Sequence, residues 1–151
     1  MEDKKSKKLK RLIYFSKPTI FDYKTRKNIL EISRENNSKT GLTGSLIYRS
    51  DIYLQLLEGP TEAVNNTYIR IKLDTRHSNI HKIHEDMANQ RLFTSWAMRE
   101  DTVRTWMWSR EDVRKGLISQ IKPNEVLKIF ERLSQGADKF FHTGEHSNAS
   151  Q

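Results

Sequence analysis

Residues 41–59, GLTGSLIYRSDIYLQLLEG, contain two β-rich segments separated only by Arg49, Ser50 and Asp51. Apolar, β-branched and aromatic side chains on both sides of a short polar connection are typical of a β-hairpin. We therefore predict strands over residues 41–48 and 52–59. Because an isolated two-stranded hairpin is marginally stable in water, the other elements must complete a sheet around it.

The segment before the hairpin has the pattern of a strand followed by a helix. Residues 9–16, LKRLIYFS, have strand character, and a turn is predicted at Lys17-Pro18. Asp22 can accept a hydrogen bond from the first turn of a helix, which we expect to run to about Asn36.

The segment after the hairpin continues the alternation. Pro60 favours the start of a second helix, which runs to about Lys72. Residues 79–85 and 95–102 are weaker strand candidates. The order β-α-β-β-α-β-β predicts an α+β fold of the ferredoxin-like type, with one five-stranded sheet and two helices on one face.

Two further helices are predicted after the last strand. Ser109 and Asp112 form a variant of the capping box and would start a short helix ending near Ser119. A second short helix would start near Pro123 and end at Gly136. We expect these helices to cover the sheet face opposite the first two helices, since an exposed sheet face needs a covering layer.

The composition of the 151 residues excludes several kinds of chemistry. The chain has no cysteine, which rules out disulfides, thiolate metal sites, cysteine nucleophiles and light sensing through a cysteinyl–flavin adduct. No apolar run approaches the ~18 residues of a membrane span, and no signal-peptide core follows the basic N-terminus. We therefore expect a cytoplasmic protein with no membrane partner.

The net charge of +8 raises nucleic acid as an alternative partner. One dense block of basic residues lies near the N-terminus: Lys4, Lys5, Lys7, Lys8, Lys10 and Arg11. A solvated basic tail is the favoured interpretation of this block. A basic nucleic-acid-binding or regulatory module remains the alternative function.

No enzyme motif is present, and only a few polar residues stand out. The sequence contains neither a phosphate-binding P-loop nor a GxSxG motif. His81 and His84 would point to opposite sides of a strand, so no metal site is predicted. Gln55 lies among apolar strand residues, where a buried amide needs partners, but it could also face solvent. Asn36-Asn37 could simply cap a helix.

Five segments follow one another over about residues 10–100: RLIYFS, NN followed by GLTGSLIY, YLQLLEG, DTRHSN and SWAM. Taken in this order, they resemble the BLUF domain, the sensor of blue light using FAD. The resemblance implies a five-stranded ferredoxin-like sheet with the isoalloxazine ring between the two helices. It also implies FAD as cofactor, with FMN and riboflavin as alternatives because the ring contacts are shared.

The resemblance implies a photoactive group of four residues. Tyr14 matches the redox-active tyrosine, and Gln55 matches the glutamine between that tyrosine and flavin N5 and C4=O. Trp96 and Met98 match a last-strand pair that responds to the light state. Asn37 matches the asparagine that binds flavin N3 and C4=O.

Further cofactor contacts follow from the same resemblance. Ile29 and Ile71 match apolar positions flanking the ring, and Arg70 matches a position that can reach flavin C2=O. The less specific matches near the cofactor are Asn36, Asp74, Arg76 and His77.

The implied function is a non-enzymatic photoreceptor, similar to the stand-alone short BLUF proteins. Light would rearrange the hydrogen bonds of tyrosine, glutamine and flavin, and the change would pass to the last strand and the C-terminal helices. We expect a homo-oligomer whose protein contacts change, with an unidentified downstream protein partner. The predicted organisation comprises a disordered basic N-terminus, the flavin-binding domain, a helical extension and a disordered tail: residues 1–8, 9–102, 103–141 and 142–151.

The chain departs from the family pattern at three places. The lysine-rich extension at the N-terminus is not required by the family. Tyr53 stands where the family commonly has phenylalanine. Trp106 and Trp108, just past the last strand, lie outside the family motif. We expect the two tryptophans to pack the C-terminal extension onto the sheet, although they could also compete as electron donors.

Overall fold

A five-stranded sheet forms the centre of the computed structural model, which describes residues 8–94, 97–104 and 106–149, with side chains to residue 136. The strands are β1 Leu9–Pro18, β2 Thr43–Arg49, β3 Ile52–Gly59, β4 His77–Ala88 and β5 Arg99–Thr102. The helices are α1 Tyr23–Thr40, α2 Thr61–Leu73, α3 Arg110–Arg114 and α4 Pro123–Ala149, with a 3₁₀ turn at Leu117–Gln120. None of the described helices is long and apolar enough to cross a membrane.

The strand order is β4-β1-β3-β2-β5, and only the β2–β5 pair is parallel. The predicted α+β class, the five strands and the hairpin of β2 and β3 are therefore confirmed. β1 continues through Lys17 and pairs Pro18 with His77, so the predicted turn at Lys17-Pro18 is wrong. Proline is tolerated here because it lies at the strand end.

The central strand β3 sorts its side chains onto two faces. Tyr53 and Leu57 pack in one core cluster, together with Leu30 of α1 and Val64 of α2. The alternate residues Ile52, Leu54 and Leu56 are buried too, which leaves the strand covered on both sides. The structure consequently has three layers, with α1 and α2 on one side of the sheet.

The other side of the sheet is covered by α4, as predicted. Val126, Phe130 and Leu133 of α4 pack with Ile13 and Leu54 of the sheet. The start at Pro123 agrees with the sequence, but the helix runs past Gly136 to Ala149, so the predicted end is wrong. One glycine in a helix interior costs only about 1 kcal/mol and does not end the helix by itself. The helix also includes residues 142–149, for which the sequence predicted disorder.

The predicted capping box at the start of α3 is confirmed. The Ser109 Oγ accepts from the Asp112 N–H at 3.0 Å, and the Asp112 carboxylate accepts from the Ser109 N–H at 3.1 Å. The helix ends at Arg114 rather than near Ser119. The backbone at Gly116 has φ 77°, a left-handed conformation that stops the helix and leads into the 3₁₀ turn.

Helix α1 begins as predicted and extends beyond its predicted end. The Asp22 carboxylate accepts from the Thr25 N–H at 2.7 Å and caps the first turn. The helix continues past Asn36 to Thr40, because no helix-breaking residue occurs before Gly41. This extra turn places Asn37 inside the helix, where its side chain faces the sheet.

Candidate functional site

A cleft lies between α1 and α2 above the sheet, opposite α4. The cleft has a volume of about 130 Å³ and opens to solvent. The lining residues are Tyr14, Ile29, Ile32, Ser33, Asn36, Asn37, Leu46, Tyr53, Gln55, Leu57, Thr67, Arg70, Ile71, Asp74, Arg76, His77 and Met98. Polar side chains therefore meet apolar walls in one partly enclosed space, as in many small-molecule sites.

The floor of the cleft carries a hydrogen-bonded tyrosine–glutamine pair. The antiparallel register of β1 and β3 places Tyr14 directly opposite Gln55. The Tyr14 hydroxyl donates to Gln55 Oε1, and Gln55 Nε2 donates to the Met98 sulfur at 3.4 Å. Gln55 is only 5% exposed, so the solvent-facing alternative for this residue is wrong.

The phenol of Tyr14 is enclosed by other rings. The Tyr68 ring lies 5.7 Å from it and the His77 ring 6.2 Å, measured between centroids. Burial raises the pKa of Tyr14 far above its usual value, and the neighbouring Tyr68 and Asp74 act in the same direction. The hydroxyl therefore remains protonated at neutral pH and is a hydrogen-bond donor.

The last full turn of α1 contributes a buried amide. Asn37 is 2% exposed, and its side-chain N–H donates to the Ala97 carbonyl at 2.7 Å. Arg34, one turn earlier, donates to the Met98 carbonyl at 3.0 Å. Two helix side chains thus hold the backbone just before β5 against the cleft.

The opposite end of the cleft is charged. The guanidinium of Arg76 binds the Asp74 carboxylate with its Nε at 3.0 Å and a terminal nitrogen at 2.7 Å, and this pairing lowers the pKa of Asp74. The ring of His77 contacts the Ile71 carbonyl through Nε2 at 2.7 Å, which identifies Nε2 as a donor. His77 Nδ1 lies 2.6 Å from the Ser16 hydroxyl.

The connection between β4 and β5 is held from the other face of the sheet by Glu58. Its carboxylate is 1% exposed and accepts from the N–H groups of Leu92 and Phe93 at 2.9 and 2.8 Å. Thr43 donates to the same carboxylate at 3.1 Å. This anchoring fixes the start of the segment that leads to Met98.

The cleft has the chemistry that a flavin ring requires. Ile29 of α1 and Ile71 of α2 provide apolar surface, while Asn37 and Gln55 present amides that can both donate and accept. Gly44 lets the Leu56 backbone and the Met98 side chain approach β2 closely. An added Cβ at this position would lie 2.2 Å from the Leu56 carbonyl oxygen and 3.3 Å from the Met98 methyl carbon. A planar heterocycle with a polar edge fits such a slot.

All eleven predicted cofactor contacts lie on this cleft: Tyr14, Ile29, Asn36, Asn37, Gln55, Arg70, Ile71, Asp74, Arg76, His77 and Met98. Trp96, the remaining photoactive candidate, lies outside the described residues. The other lining residues were not predicted, although spacing gives a signal for most of them. Ile32 and Ser33 follow Ile29 by one helical turn, and Leu57 follows Gln55 by one strand repeat.

The two tryptophans after β5 contact the C-terminal part of the chain. Trp108 packs against the core cluster that contains the buried residues of α4. The guanidinium carbon of Arg132, on α4, lies 3.8 Å from the centre of the Trp106 ring. The expected packing of the extension onto the sheet is therefore confirmed for Trp108, whereas the Trp106 contact lies within the extension. The residues that the structure describes contain no group of three or more acidic or histidine side chains able to hold a metal ion.

The fold and the cleft together define a ligand-binding domain of the ferredoxin-like type. The family model named BLUF, sensors of blue-light using FAD, matches residues 9–99. The chain therefore belongs to the BLUF family of flavin-binding blue-light sensors.

The proteins that this chain resembles differ in name and in length. Photoactivated adenylate cyclase subunit beta of Euglena gracilis is 32% identical over 75 residues, which cover 49% of this chain and 9% of that protein. The blue light- and temperature-regulated antirepressor BluF of Escherichia coli K12 is 32% identical over 92 residues, covering 61% and 22% of the two chains. The chain thus matches less than a quarter of either relative's length.

Solved structures share the fold. A bacterial light-regulated adenylyl cyclase superposes with a TM-score of 0.61 at 29% identity, covering 82% of this chain and 36% of that one. The dark-state structure of BlrB, a BLUF protein, superposes with a TM-score of 0.73 at 24% identity and covers 86% of this chain and 98% of BlrB. At that identity, BlrB supports the fold alone.

Proposed function

We propose that this chain is a blue-light photoreceptor that holds FAD in the cleft and reports its excitation through Tyr14 and Gln55. The observation that carries the proposal is the buried hydrogen bond from the Tyr14 hydroxyl to Gln55 Oε1 on the floor of the cleft. Asn37 and Gln55 would hold the polar edge of the ring, and Ile29 and Ile71 would flank it. When bound, the flavin supplies blue-light absorption, a strongly oxidising excited state and an absorption maximum that moves to the red when hydrogen bonding at C4=O strengthens.

Tyr14 and Gln55 can respond to an oxidant without forming a covalent bond. If Tyr14 lost an electron to the excited flavin, the phenol would become a strong acid, and its proton would pass to Gln55 Oε1, the acceptor already in contact with it. Return of the electron and a proton to Tyr14 would leave both groups in their original redox state, with the donor and acceptor atoms of the Gln55 amide exchanged by rotation or by tautomerisation. Its present Nε2 contact is the Met98 sulfur, a weak acceptor that offers little resistance to such a change.

The proposed output passes from Met98 to the opposite side of the sheet. Met98 ends the connection that Glu58 anchors at Leu92 and Phe93. The Phe93 ring meets the Phe130 ring of α4 edge-on at 6.4 Å. A shift of this connection would change how α4 packs, and thereby the contacts of the chain with another copy or a partner protein.

Absorption spectra before and directly after blue light test the proposal. The wild type should show a flavin spectrum that moves reversibly to the red. Tyr14→Phe and Gln55→Leu should keep the flavin but lose the shift, whereas Tyr23→Phe, at a residue that is 66% exposed, should retain it. A reversible shift in both pocket variants would contradict the proposed switch.

The alternative of a nucleic-acid module has less support. Lys10 forms an ion pair with Glu85 and a hydrogen bond with Asn65 at 2.6 Å. Arg11 is 8% exposed and lies 3.9 Å from the Glu58 carboxylate. These two members of the basic block are therefore already paired; Lys4, Lys5 and Lys7 lie outside the described residues. The cyclase activity named for the Euglena relative is not carried over to this chain, because the match covers only 9% of that protein.

A further inference from the structure

Tyr53 carries a buried hydroxyl that lacks a partner inside the cleft. The residue is 4% exposed and lies two positions before Gln55 on the same face of β3. It lines the cleft, with the Phe21 and His77 rings at 6.3 and 6.4 Å between centroids. Its oxygen has no hydrogen-bond partner within the described part of the chain. Buried polar groups are nearly always hydrogen-bonded, so a bound molecule or a water supplies the missing partner.

The charged groups around Tyr53 are committed to other partners. Four of them influence its pKa: Arg26, Arg76, Asp74 and Asp22. Asp74 and Arg76 bind each other, and the Asp22 carboxylate caps α1. Arg26 lies over the Tyr48 ring at 4.3 Å. Burial raises the pKa of Tyr53, so its hydroxyl is protonated and free to donate at neutral pH.

The position of Tyr53 restricts which atom of a flavin it can meet. Two residues along a strand correspond to roughly 7 Å, so the hydroxyl lies apart from the amide of Gln55. The ring atoms able to form hydrogen bonds are on the pyrimidine ring and the adjacent N5, which Asn37, Gln55 and Arg70 would hold under the proposed function. The dimethylbenzene end of the ring has no atom that can form a hydrogen bond. The ribityl chain is the next group that carries hydroxyls.

We propose that Tyr53 is a specificity-determining residue whose hydroxyl binds a ribityl hydroxyl of the flavin. This inference rests on the proposed function and adds a contact that distinguishes ribityl flavins from the bare ring. The phenylalanine expected at this position from the family pattern could not make the contact. Tyr53 therefore gives this chain a preference for the sugar-alcohol chain of its cofactor.

Binding of two flavins to the full-length chain tests the proposal. Flavin-free wild type and Tyr53→Phe are titrated with riboflavin and with lumiflavin, which has a methyl group in place of ribityl, and quenching of flavin fluorescence gives Kd. The substitution should weaken riboflavin binding about threefold to tenfold and leave lumiflavin binding unchanged. Tyr48→Phe is the matched control, because Tyr48 also contacts Phe21 but does not line the cleft.

Two results would overturn the inference. An equal loss for both flavins would assign Tyr53 a general packing role, and no loss for either would mean that water alone satisfies the hydroxyl. The light-induced red shift, recorded on the riboflavin-loaded wild type and Tyr53→Phe, separates this inference from the proposed function. If the red shift is normal but Tyr53→Phe does not selectively weaken riboflavin binding, only the proposed role of Tyr53 is overturned. A wild type that binds neither flavin overturns both this inference and the proposed function.

Discussion

The Tyr14 hydroxyl donates to Gln55 Oε1 across two neighbouring strands, although the residues are 41 positions apart in the sequence. The phenol is the only group of Tyr14 that can donate there, and the amide has its other end on Met98. The pair is therefore part of a short line of contacts from β1 through β3 to the start of β5. We expect a change at the phenol to reach the segment that the family resemblance predicted to respond to light.

The raised pKa of Tyr14 makes the stability of the protein sensitive to alkaline pH. As pH rises past about 10, the unfolded chain releases this proton while the folded chain keeps it. The unfolded state then binds fewer protons, so the free energy of unfolding falls with pH. In Tyr14→Phe, the free energy of unfolding should therefore fall less steeply with pH, by up to about 1.4 kcal/mol per pH unit.

Urea unfolding of the flavin-free protein at several pH values above about 9 measures this slope. Tyr23→Phe, which removes a hydroxyl at the surface, is the matched control. Equal slopes in the wild type and Tyr14→Phe would show that the phenol titrates normally in the folded protein.

Removing the Asn37 amide should weaken cofactor binding. Asn37→Ala loses the 2.7 Å hydrogen bond to the Ala97 carbonyl and the polar group that would face the ring. We expect flavin affinity to fall by about tenfold or more. Fluorescence titration of the flavin-free protein measures the change, with the exposed Asn66→Ala on α2 as control. Unchanged affinity in Asn37→Ala would remove this residue from the proposed site.

Glu58→Gln should loosen the connection between β4 and β5. The amide nitrogen that replaces one carboxylate oxygen cannot accept from the Leu92 or Phe93 N–H groups. The free energy of unfolding should fall by about 1–3 kcal/mol. Hydrogen exchange should accelerate at the Leu92 and Phe93 amides, whereas the exposed Glu31→Gln should leave both amides protected. Unaltered exchange in Glu58→Gln would mean that other contacts hold the connection.

Truncating Phe130 should destabilise the helical layer without emptying the cleft. Phe130 is fully buried between α4 and the sheet, on the face opposite the cleft. Phe130→Ala should cost about 3–5 kcal/mol, read from urea unfolding, while the flavin spectrum is retained. Leu117→Ala, at a residue that is 41% exposed, should cost much less. Loss of flavin from folded Phe130→Ala would indicate that α4 supports the cofactor site directly.

Local patterns in the sequence predicted most of the elements, and the resemblance to the BLUF family predicted much of the cleft. Strand and helix periodicity determine which face a side chain takes, but Tyr14, Gln55 and Ile29 were assigned to a flavin site because they match the family motifs. The capping residues Asp22 and Ser109 could also be predicted from the sequence, because a helix cap depends only on residues within one turn. Helix ends were less predictable, because a single glycine such as Gly136 costs only about 1 kcal/mol and does not by itself end a helix.

Contacts between distant segments were decided only by the tertiary structure. The sequence determined that Tyr53 points to the same side of β3 as Gln55, but not that its hydroxyl lacks a partner there. Likewise, it placed a charged Glu58 at a strand end without indicating that Leu92 and Phe93 would donate to it. The physical reason is that such bonds depend on strand register and loop path, which result from packing the whole sheet rather than from neighbouring residues.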